Sequence, residues 1–403
     1  MSGSRFLEKL LDGANAEWRL LGNGNFFEVA NRERKPVKAS TRVAGKTPYY
    51  GANNVQDFVE GYTHDGEFVL IAEDGSASLE NYSVQYADGK FWANNHIHVV
   101  RGQKGVNTRY LFHYLHIVNF IPFLTGGGRA KLTKGQMINI PVPIPCPGNS
   151  EKSLAIQGEI VRILDTFTEL TAELTAELKA RRKQYNYYRD KLLTFDDDVK
   201  YLPLGDERIG KFTRGSGLLK KDFMEQGEVG CIHYGQIYTH FGTYAHTTKT
   251  FVSNEFANKA RKAKPGDLVI ATTSENDEDV CKAVAWLGNE DVVVSSDACF
   301  FSHKLNPKYV AYFFQTKQFQ KQKNAYITGV KVRRVNADNL AKILIPVPSP
   351  EEQGRIVAIL DTFDTLTTSL TEGLPREIEL RQKQYEYYRD QLLNFPKPDK
   401  KVA

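Results

Sequence analysis

The residues best suited to chemistry in this sequence are guanidinium and ammonium groups on glycine-bearing loops. TGGGRAKLTKGQMINIPVPIP (125–145) carries Gly127, Arg129 and Lys131. TGVKVRRVNADNLAKILIPVP (328–348) carries Gly329, Lys331, Arg333 and Arg334. Arginine grips a phosphate, or a guanine edge in the major groove, with paired N–H donors, and glycine lets the backbone approach a ligand closely. The alternative for either loop alone is a solvated turn with incidental charge; like placement in both halves raises DNA contact to an equal reading. A second matching pair of segments, TPYYGANNV (47–55) and CIHYGQIYT (231–239), adds Tyr49, Tyr50, the following Gln56, His233, Tyr234 and Gln236 as weaker candidates for base contacts.

Catalytic patterns are missing from the sequence. There is no GxxxxGK[ST] phosphate loop, and the glycines at 22–24 and 215–217 do not lie between a strand and a helix in the required register. Neither an Asn-Pro-Pro-aromatic tetrapeptide nor a glycine-rich methyl-donor motif occurs. Asp88-Gly89-Lys90 has the form of the tail of a nuclease carboxylate site but lacks a placed upstream carboxylate. His96 with His98, and His113 with His116, have metal-ligand spacing without a neighbouring carboxylate or cysteine cluster, and read as structural histidines. The four cysteines, Cys146, Cys231, Cys281 and Cys299, form no CxxC pair and read as reduced thiols. No catalytic, metal or cofactor residue is assigned.

These loops need a frame, and internal repetition supplies it. QGEIVRILDTF (157–167) returns as QGRIVAILDTF (353–363), and RRKQYNYYRDKLLTF (181–195) returns as RQKQYEYYRDQLLNF (381–395). The offset is 196 residues at the first block and 200 at the second, so four residues were gained or lost between them. Ile160, Ile163, Phe167, Leu170, Leu174 and Leu178 recur at steps of three and four, as do Ile356, Ile359, Phe363, Leu366, Leu370 and Leu374. That is the narrow apolar stripe of a helix–helix seam. Each copy predicts one long helix, of about 60 Å for roughly 40 residues, and the second is broken or kinked at Gly373 and Pro375. The stripes meet if the helices run antiparallel. Such helices have more surface than one seam covers, so Gln157, Tyr187 and Arg189, with Gln353, Tyr387 and Arg389, are candidates for contact with other subunits.

The remainder divides accordingly: a globule at 1–150, a helix at 151–196, a second globule at 197–350 and a second helix at 351–403. Short apolar segments punctuated by Gly and Pro predict α+β globules, with helices around 110–121 and 308–322 and a Pro-alternating strand entering each long helix. DGEFVLIAED (65–74) matches PGDLVIATTS (265–274). FLEKLLDGANAEWRLLG, near the start, matches KLLTFDDDVKYLPLG (191–205), so the N-terminal stub should lie beside the end of the second helix. The repeat is then cyclic, with approximate two-fold symmetry, as a protein reading two half-sites on a duplex needs. A net charge of +5 permits a polyanionic partner without demanding one. No signal peptide precedes the first globule, and the most apolar stretch, Tyr110 to Leu124, is too short and polar to span a bilayer, so a cytoplasmic protein is expected.

Over nearly its whole length the sequence resembles the specificity (S) subunits of type I restriction-modification enzymes. The resemblance is carried by KSLAIQGEIVRILDTF, LTAELTAEL and RKQYNYYRDKLLTF, then by EEQGRIVAILDTF and GLPREIELRQKQYEYYRDQLLNF. The tandem TAEL tetrapeptides (171–174 and 175–178) are similar to those of the IC class. The resemblance implies two target-recognition domains, each reading one half of an asymmetric, interrupted DNA target, held apart by two antiparallel helices. It implies a non-catalytic chain bound to two methyltransferase (M) and two motor-nuclease (R) subunits, with S-adenosylmethionine, ATP and magnesium held by those partners. A free-standing duplicated DNA-binding or regulatory protein, and a coiled-coil scaffold whose globules bind protein, are the alternatives the residues leave open.

Overall fold

The computed structural model describes residues 4–13, 15–126, 130–218, 220–368 and 372–396. One helix runs unbroken from Ser150 to Leu192; its counterpart is two helices, Pro350–Thr368 and Gly373–Leu393. The new helix begins at Gly373, whose φ of +76° favours glycine and where a Cβ would lie 2.5 Å from the Thr365 carbonyl. The chain forms two compact units, and neither long helix belongs to one of them alone. The first unit takes residues 1–173 and 379–403, the second 174–378. Each unit is thus one globule with half of each long helix, where the sequence divides globules from spacers at 150, 196 and 350.

In the first unit Phe68–Ala72 is buried along its whole length and lies second from one edge of a four-stranded antiparallel sheet. Its alternating side chains serve two cores, as the period of two in a strand requires. Val69 and Ile71 pack with Tyr110, Leu111 and Leu115 of the helix Thr108–Leu115 and with Ile160 and Leu164 of the long helix. Phe68 and Leu70 pack with Phe91, Ile97 and Val99 beneath an outer four-stranded sheet, ordered Val55–Val59, Ala44–Tyr50, Lys90–Ala93, His64–Asp65. The second unit repeats the plan: Leu268 and Ile270 face its helices, while Val269 and Ala271 face its outer sheet. That sheet orders Thr250–Val252, Val229–Ile232, Val292–Val294 and Lys262–Ala263.

Register corrects two of the sequence matches. Ala72 lies opposite Ile97 and Ala271 opposite Ala298, so DGEFVLIAED and PGDLVIATTS correspond one residue away from their best sequence match. Tyr49 and Tyr50 pair with Trp92 and Ala93 as Cys231 and Ile232 pair with Val293 and Val294. The Tyr-Tyr-Gly and His-Tyr-Gly segments are therefore not equivalent, being displaced by two residues; in the first match a one-residue slip would have exchanged the two faces of the strand, and core packing outweighs local similarity.

The stripe expected in the helix–helix seam is split between two tasks. Ile156, Ile160 and Leu164 are buried under the first globule, while Ile163, Phe167 and Leu170 are only half-buried. Phe167 stacks on Tyr388 at 5.2 Å between ring centroids in the first unit. Phe363 stacks on Tyr188 at 5.7 Å in the second. Start of one copy meets end of the other, which is the antiparallel pairing. The N-terminal helix Ser4–Leu11 buries Leu7 and Leu11 in the same core as Leu392, Leu393 and Phe395, and the Trp18 indole N–H donates to the Pro396 carbonyl at 2.9 Å. The stub lies beside the end of the second helix.

Each globule is fastened to its long helix by matching contacts. Asn107 and Asn306 cap the helices Thr108–Leu115 and Pro307–Phe313, each accepting two backbone N–H groups. The cap's own N–H donates to a buried glutamine on the long helix, Gln157 at 2.8 Å and Gln353 at 2.9 Å. The Gln157 amide donates to the Gly105 carbonyl, and that of Gln353 to the Pro348 carbonyl. Eight residues on, Asp165 accepts from Arg109 Nε at 2.9 Å and pairs with His113 at 2.8 Å. In the same place Asp361 accepts from Lys308 at 2.7 Å and from the Tyr312 hydroxyl at 2.6 Å. A carboxylate only accepts, so His113 donates from Nε2 and accepts a hydrogen bond from the Tyr385 hydroxyl at Nδ1. Burial pushes the imidazole below its usual range against the pull of Asp165. Burial also favours a protonated Asp165, but hydrogen bonds from His113 and Arg109 outweigh it and hold the carboxyl below its usual value.

Two expectations follow. Tyr110 and Tyr309 are buried and donate to the Pro143 and Pro346 carbonyls at 2.8 and 2.9 Å, joining the short helix to the Pro-rich strand. Tyr110→Phe and Tyr309→Phe should each cost about 1–2 kcal/mol in thermal or denaturant unfolding; a neutral change in one alone would mean the two attachments are not equivalent. His113 gives a pH dependence. Below an unfolded pKa of about 6.5, the unfolded chain takes up a proton that the folded unit resists. Stability should therefore fall as pH drops from about 7 toward 5. His113→Tyr, which copies Tyr312, should flatten that fall in Tm-versus-pH profiles, leaving the share of other buried histidines such as His98; an unchanged profile would exclude His113 as its source.

Candidate nucleic-acid and subunit interfaces

The two glycine-bearing loops superpose by their bridges. Thr125 pairs with Lys131, and Thr328 with Arg334, each closing a five-residue loop. Gly126 and Gly329 occupy the same position with φ of +89° and +91°. A Cβ on Gly329 would lie 2.1 Å from the Val332 carbonyl, so the turn requires glycine there. The next side chains inward, Leu132 and Val335, are buried, and their N–H groups bond to Glu73 and Thr272. Lys131 and Arg334 are therefore equivalents, both exposed. Gly127 and Arg129 lie outside the described residues.

Their surroundings differ. Lys131 meets Glu73 at 2.9 Å, and the same carboxylate takes Arg34 at 2.7 Å. Burial would raise the Glu73 pKa, but those two donors hold it below the usual range. Arg333 is tied at 2.8 Å to Asp277 and donates to the Gly329 carbonyl, which stiffens its hairpin. Lys331 and Arg334 stand exposed without an ion pair among the described residues, and Arg334 lines a small polar cleft with Arg214, Asn336 and Asn339. Of the predicted cations, Lys131, Lys331 and Arg334 are thus presented to solvent, while Arg333 is partly occupied.

The other candidate loops have structural duties. Tyr49 is only 2% exposed; its hydroxyl bonds to the Val37 backbone and the Arg42 guanidinium covers its ring at 4.0 Å. Tyr50 is half-buried edge-on to Phe91. His233 caps the helix Tyr234–Thr239 through Gly235 N–H, and Gln236 completes a capping box while donating to Thr250. The Tyr234 N–H bonds to Ser295, and its half-buried ring packs on the outer-sheet core. Tyr49 is removed from direct base contact by burial, and His233 and Gln236 spend their polar atoms at a helix start. The histidine pairs are likewise engaged: His96 with Asp74 at 2.6 Å, and His98 with Asn31 and the Leu132 carbonyl.

The subunit candidates divide in the same way. Gln157 and Gln353 are buried and hold the globules, so they are not contact residues. Arg189 is 8% exposed, over the Tyr185 ring and beside Asp190. Its Nε is buried without a hydrogen-bond partner among the described residues. Arg389 is half-buried against Tyr385 and Asp390. Tyr187 and Tyr387, by contrast, are 60% and 52% exposed, each edge-on to a partly exposed neighbour, Tyr188 and Tyr388. Tyr187 and Tyr387 thus stand at equivalent places on the two copies, outside the seam in which Tyr188 and Tyr388 are stacked. No helix among the described residues is long and apolar enough to cross a membrane.

Comparison with known proteins gives this arrangement a family. The model of the type I restriction modification DNA specificity domain matches twice, over residues 15–181 and 197–380. The chain is 45% identical to a putative type I restriction enzyme specificity subunit of Haemophilus influenzae, over 97% of this chain and 98% of that one. It is 35% identical to the EcoR124I/EcoR124II specificity subunit of Escherichia coli, over 99% of both. The crystal structure of a type I restriction-modification S subunit from M. genitalium shares the fold with a TM-score of 0.57 at 14% identity, over 96% of this chain and 98% of that one. Two matched domains, a cyclic repeat of globule and helix, and full-length identity well above chance together place the chain in the family of type I restriction-modification DNA specificity subunits.

Proposed function

We propose that each globule reads one half of an interrupted, asymmetric duplex target, and that the chain itself catalyses nothing. The carrying observation is the matched pair of units, each with its own hairpin, outer sheet and fastening to its own copy of the repeated helix. In this reading two methyltransferase subunits bind the chain, with the Tyr187–Tyr188 and Tyr387–Tyr388 pairs as their contacts. They flip and methylate an adenine in each half with S-adenosylmethionine. Two motor-nuclease subunits add ATP- and magnesium-dependent translocation and cleavage of unmethylated DNA. The cofactors belong to those partners, and the assembly works in the cytoplasm.

Independent readers predict independent half-sites. Exchanging residues 1–150 for the corresponding domain of another family member should change only one half of the methylated sequence, read by mapping modified bases across a genome. Altered specificity in both halves would refute modular reading.

The long unbroken helix is the proposed ruler. One further TAEL after Leu178 adds four residues, slightly over a turn, so the apolar stripe stays nearly in phase. The helix gains about 6 Å, against about 3.4 Å per base pair. Tilt and the unchanged partner helix reduce the gain, so one additional base pair between unaltered half-sites is expected. A two-residue insertion rotates the stripe by about 200° and should abolish assembly. An unchanged gap in a fully active four-residue variant would show that the helix is not the ruler.

A further inference from the structure

Two short runs that the hairpins do not include carry a local surplus of positive charge. Residues 31–46, NRERKPVKASTRVAGK, hold six cations against one acid. Residues 259–264, KARKAK, hold four cations and no acid. For a chain whose net charge is only +5, both are marked local surpluses outside the hairpins; a third, at 317–334, runs into the second hairpin itself.

Both runs feed the outer sheet of their own unit. The first ends inside the strand Ala44–Tyr50, and the second contains the strand Lys262–Ala263. The outer sheet is the layer whose core faces away from the long helices, which pack on the other side of the inner sheet. Arg32, Lys35, Lys38 and Lys46 are exposed and form no ion pair among the described residues. Arg34 and Arg42 are engaged, by Glu73 and Asp57. Because Glu73 also takes Lys131, the first run begins beside the hairpin 125–131. In the second unit Arg261 and Lys264 are exposed, and Lys259 has only the exposed Glu255, at 3.3 Å. The Arg261 backbone N–H bonds to Ser216, two residues from Arg214, which shares a cleft with Arg334. Each unit thus ties its basic run to its hairpin through a short chain of contacts. The first also exposes Val43 and Phe58, 62% and 55%, on that sheet.

Four unpaired cations within a 16-residue segment repel one another, and a solvated surface gains nothing from holding them together. A row of phosphates, one charge per 1.7 Å or so of duplex, neutralises them and releases counterions. We propose that Arg32–Lys46 and Lys259–Lys264 are the phosphate-gripping surfaces of the two readers, with Lys131 and Arg334 at their inner ends. They set affinity and docking, while other loops set sequence. This rests on the reading of the globules as DNA readers.

The test uses the full chain assembled with its methyltransferase subunit and a duplex carrying the sequence it methylates. Two variants keep the aliphatic stems: one with Arg32, Lys35, Lys38 and Lys46 changed to Gln, the other with Lys259, Arg261 and Lys264 changed to Gln. A control changes Lys317 and Lys321 to Gln, on the helix Lys317–Asn324 of the second unit. Binding is measured against salt, and the methylated sequence is mapped. At about 0.9 per phosphate contact, the slope of log K against log salt should fall by about 2–4 in the first variant and about 1.5–3 in the second. The control should leave it unchanged, and all should methylate the same sequence. Slopes equal to wild type in both variants, or an equal fall in the control, overturn the inference. A changed target sequence shows base reading by these residues and overturns it too. A wild-type complex without sequence-dependent binding overturns the DNA-reader reading and the inference with it. Unchanged melting and assembly of the variants show that charge, not folding, was altered.

Discussion

A glutamine amide shut away from water must find a partner for its oxygen and its N–H groups, because an unmet buried polar atom costs on the order of 1–3 kcal/mol. Gln157 and Gln353 meet that demand by bonding to the free N–H at the start of a globule's helix and to a backbone carbonyl of the approaching chain. Asp165 and Asp361, eight residues further on the same helical face, take the cation and the polar side chain one turn along the docked helix. These contacts fix the angle and depth at which each globule sits on its helix. The inner sheet, packed on the docked helix, is placed by them, and the hairpin and outer sheet by the inner sheet.

Around this fastening the aromatic pairs close the antiparallel helices. Phe167 with Tyr388 and Phe363 with Tyr188 are the same contact made twice, once in each unit. The equivalence survives an offset of 196 residues at one partner and 200 at the other because each unit draws its two half-helices from different copies. A length change in the middle of one helix leaves both sets of local contacts intact. That tolerance is what permits a helix of variable length to be proposed as a ruler.

The two units differ where the common frame does not constrain them. The fastening keeps its geometry while exchanging chemistry: Arg109 and His113 in one unit, Lys308 and Tyr312 in the other. The hairpins keep a left-handed glycine and a buried apolar anchor, but Glu73 occupies Lys131 whereas Arg334 has no such carboxylate among the described residues. The basic runs reach the outer sheets at different strands. A rigid scaffold with divergent surfaces suits a chain in which each half recognises a different sequence.

The repeat, the long helices, their antiparallel pairing and the return of the N-terminal stub were legible in the sequence, because helical periodicity and duplication are written in residue order. So was the family, through motifs that lie on those helices. Composition and duplicated placement pointed to Lys131, Lys331 and Arg334, which the fold leaves exposed. What sequence could not decide was which side of each element is occupied. Tyr49 and His233 have the types of base-reading residues, yet burial and a helix cap claim them. Gln157 and Gln353 looked like surface residues of a repeated motif until packing put a globule over them. The strand matches were misaligned by one and two residues because neighbouring residues look alike in sequence, while cross-strand pairing fixes the register and, for the one-residue shift, the face. Type and spacing are local properties; which atoms remain free for a partner is settled by long-range packing and hydrogen bonding, and that exists only in the folded chain.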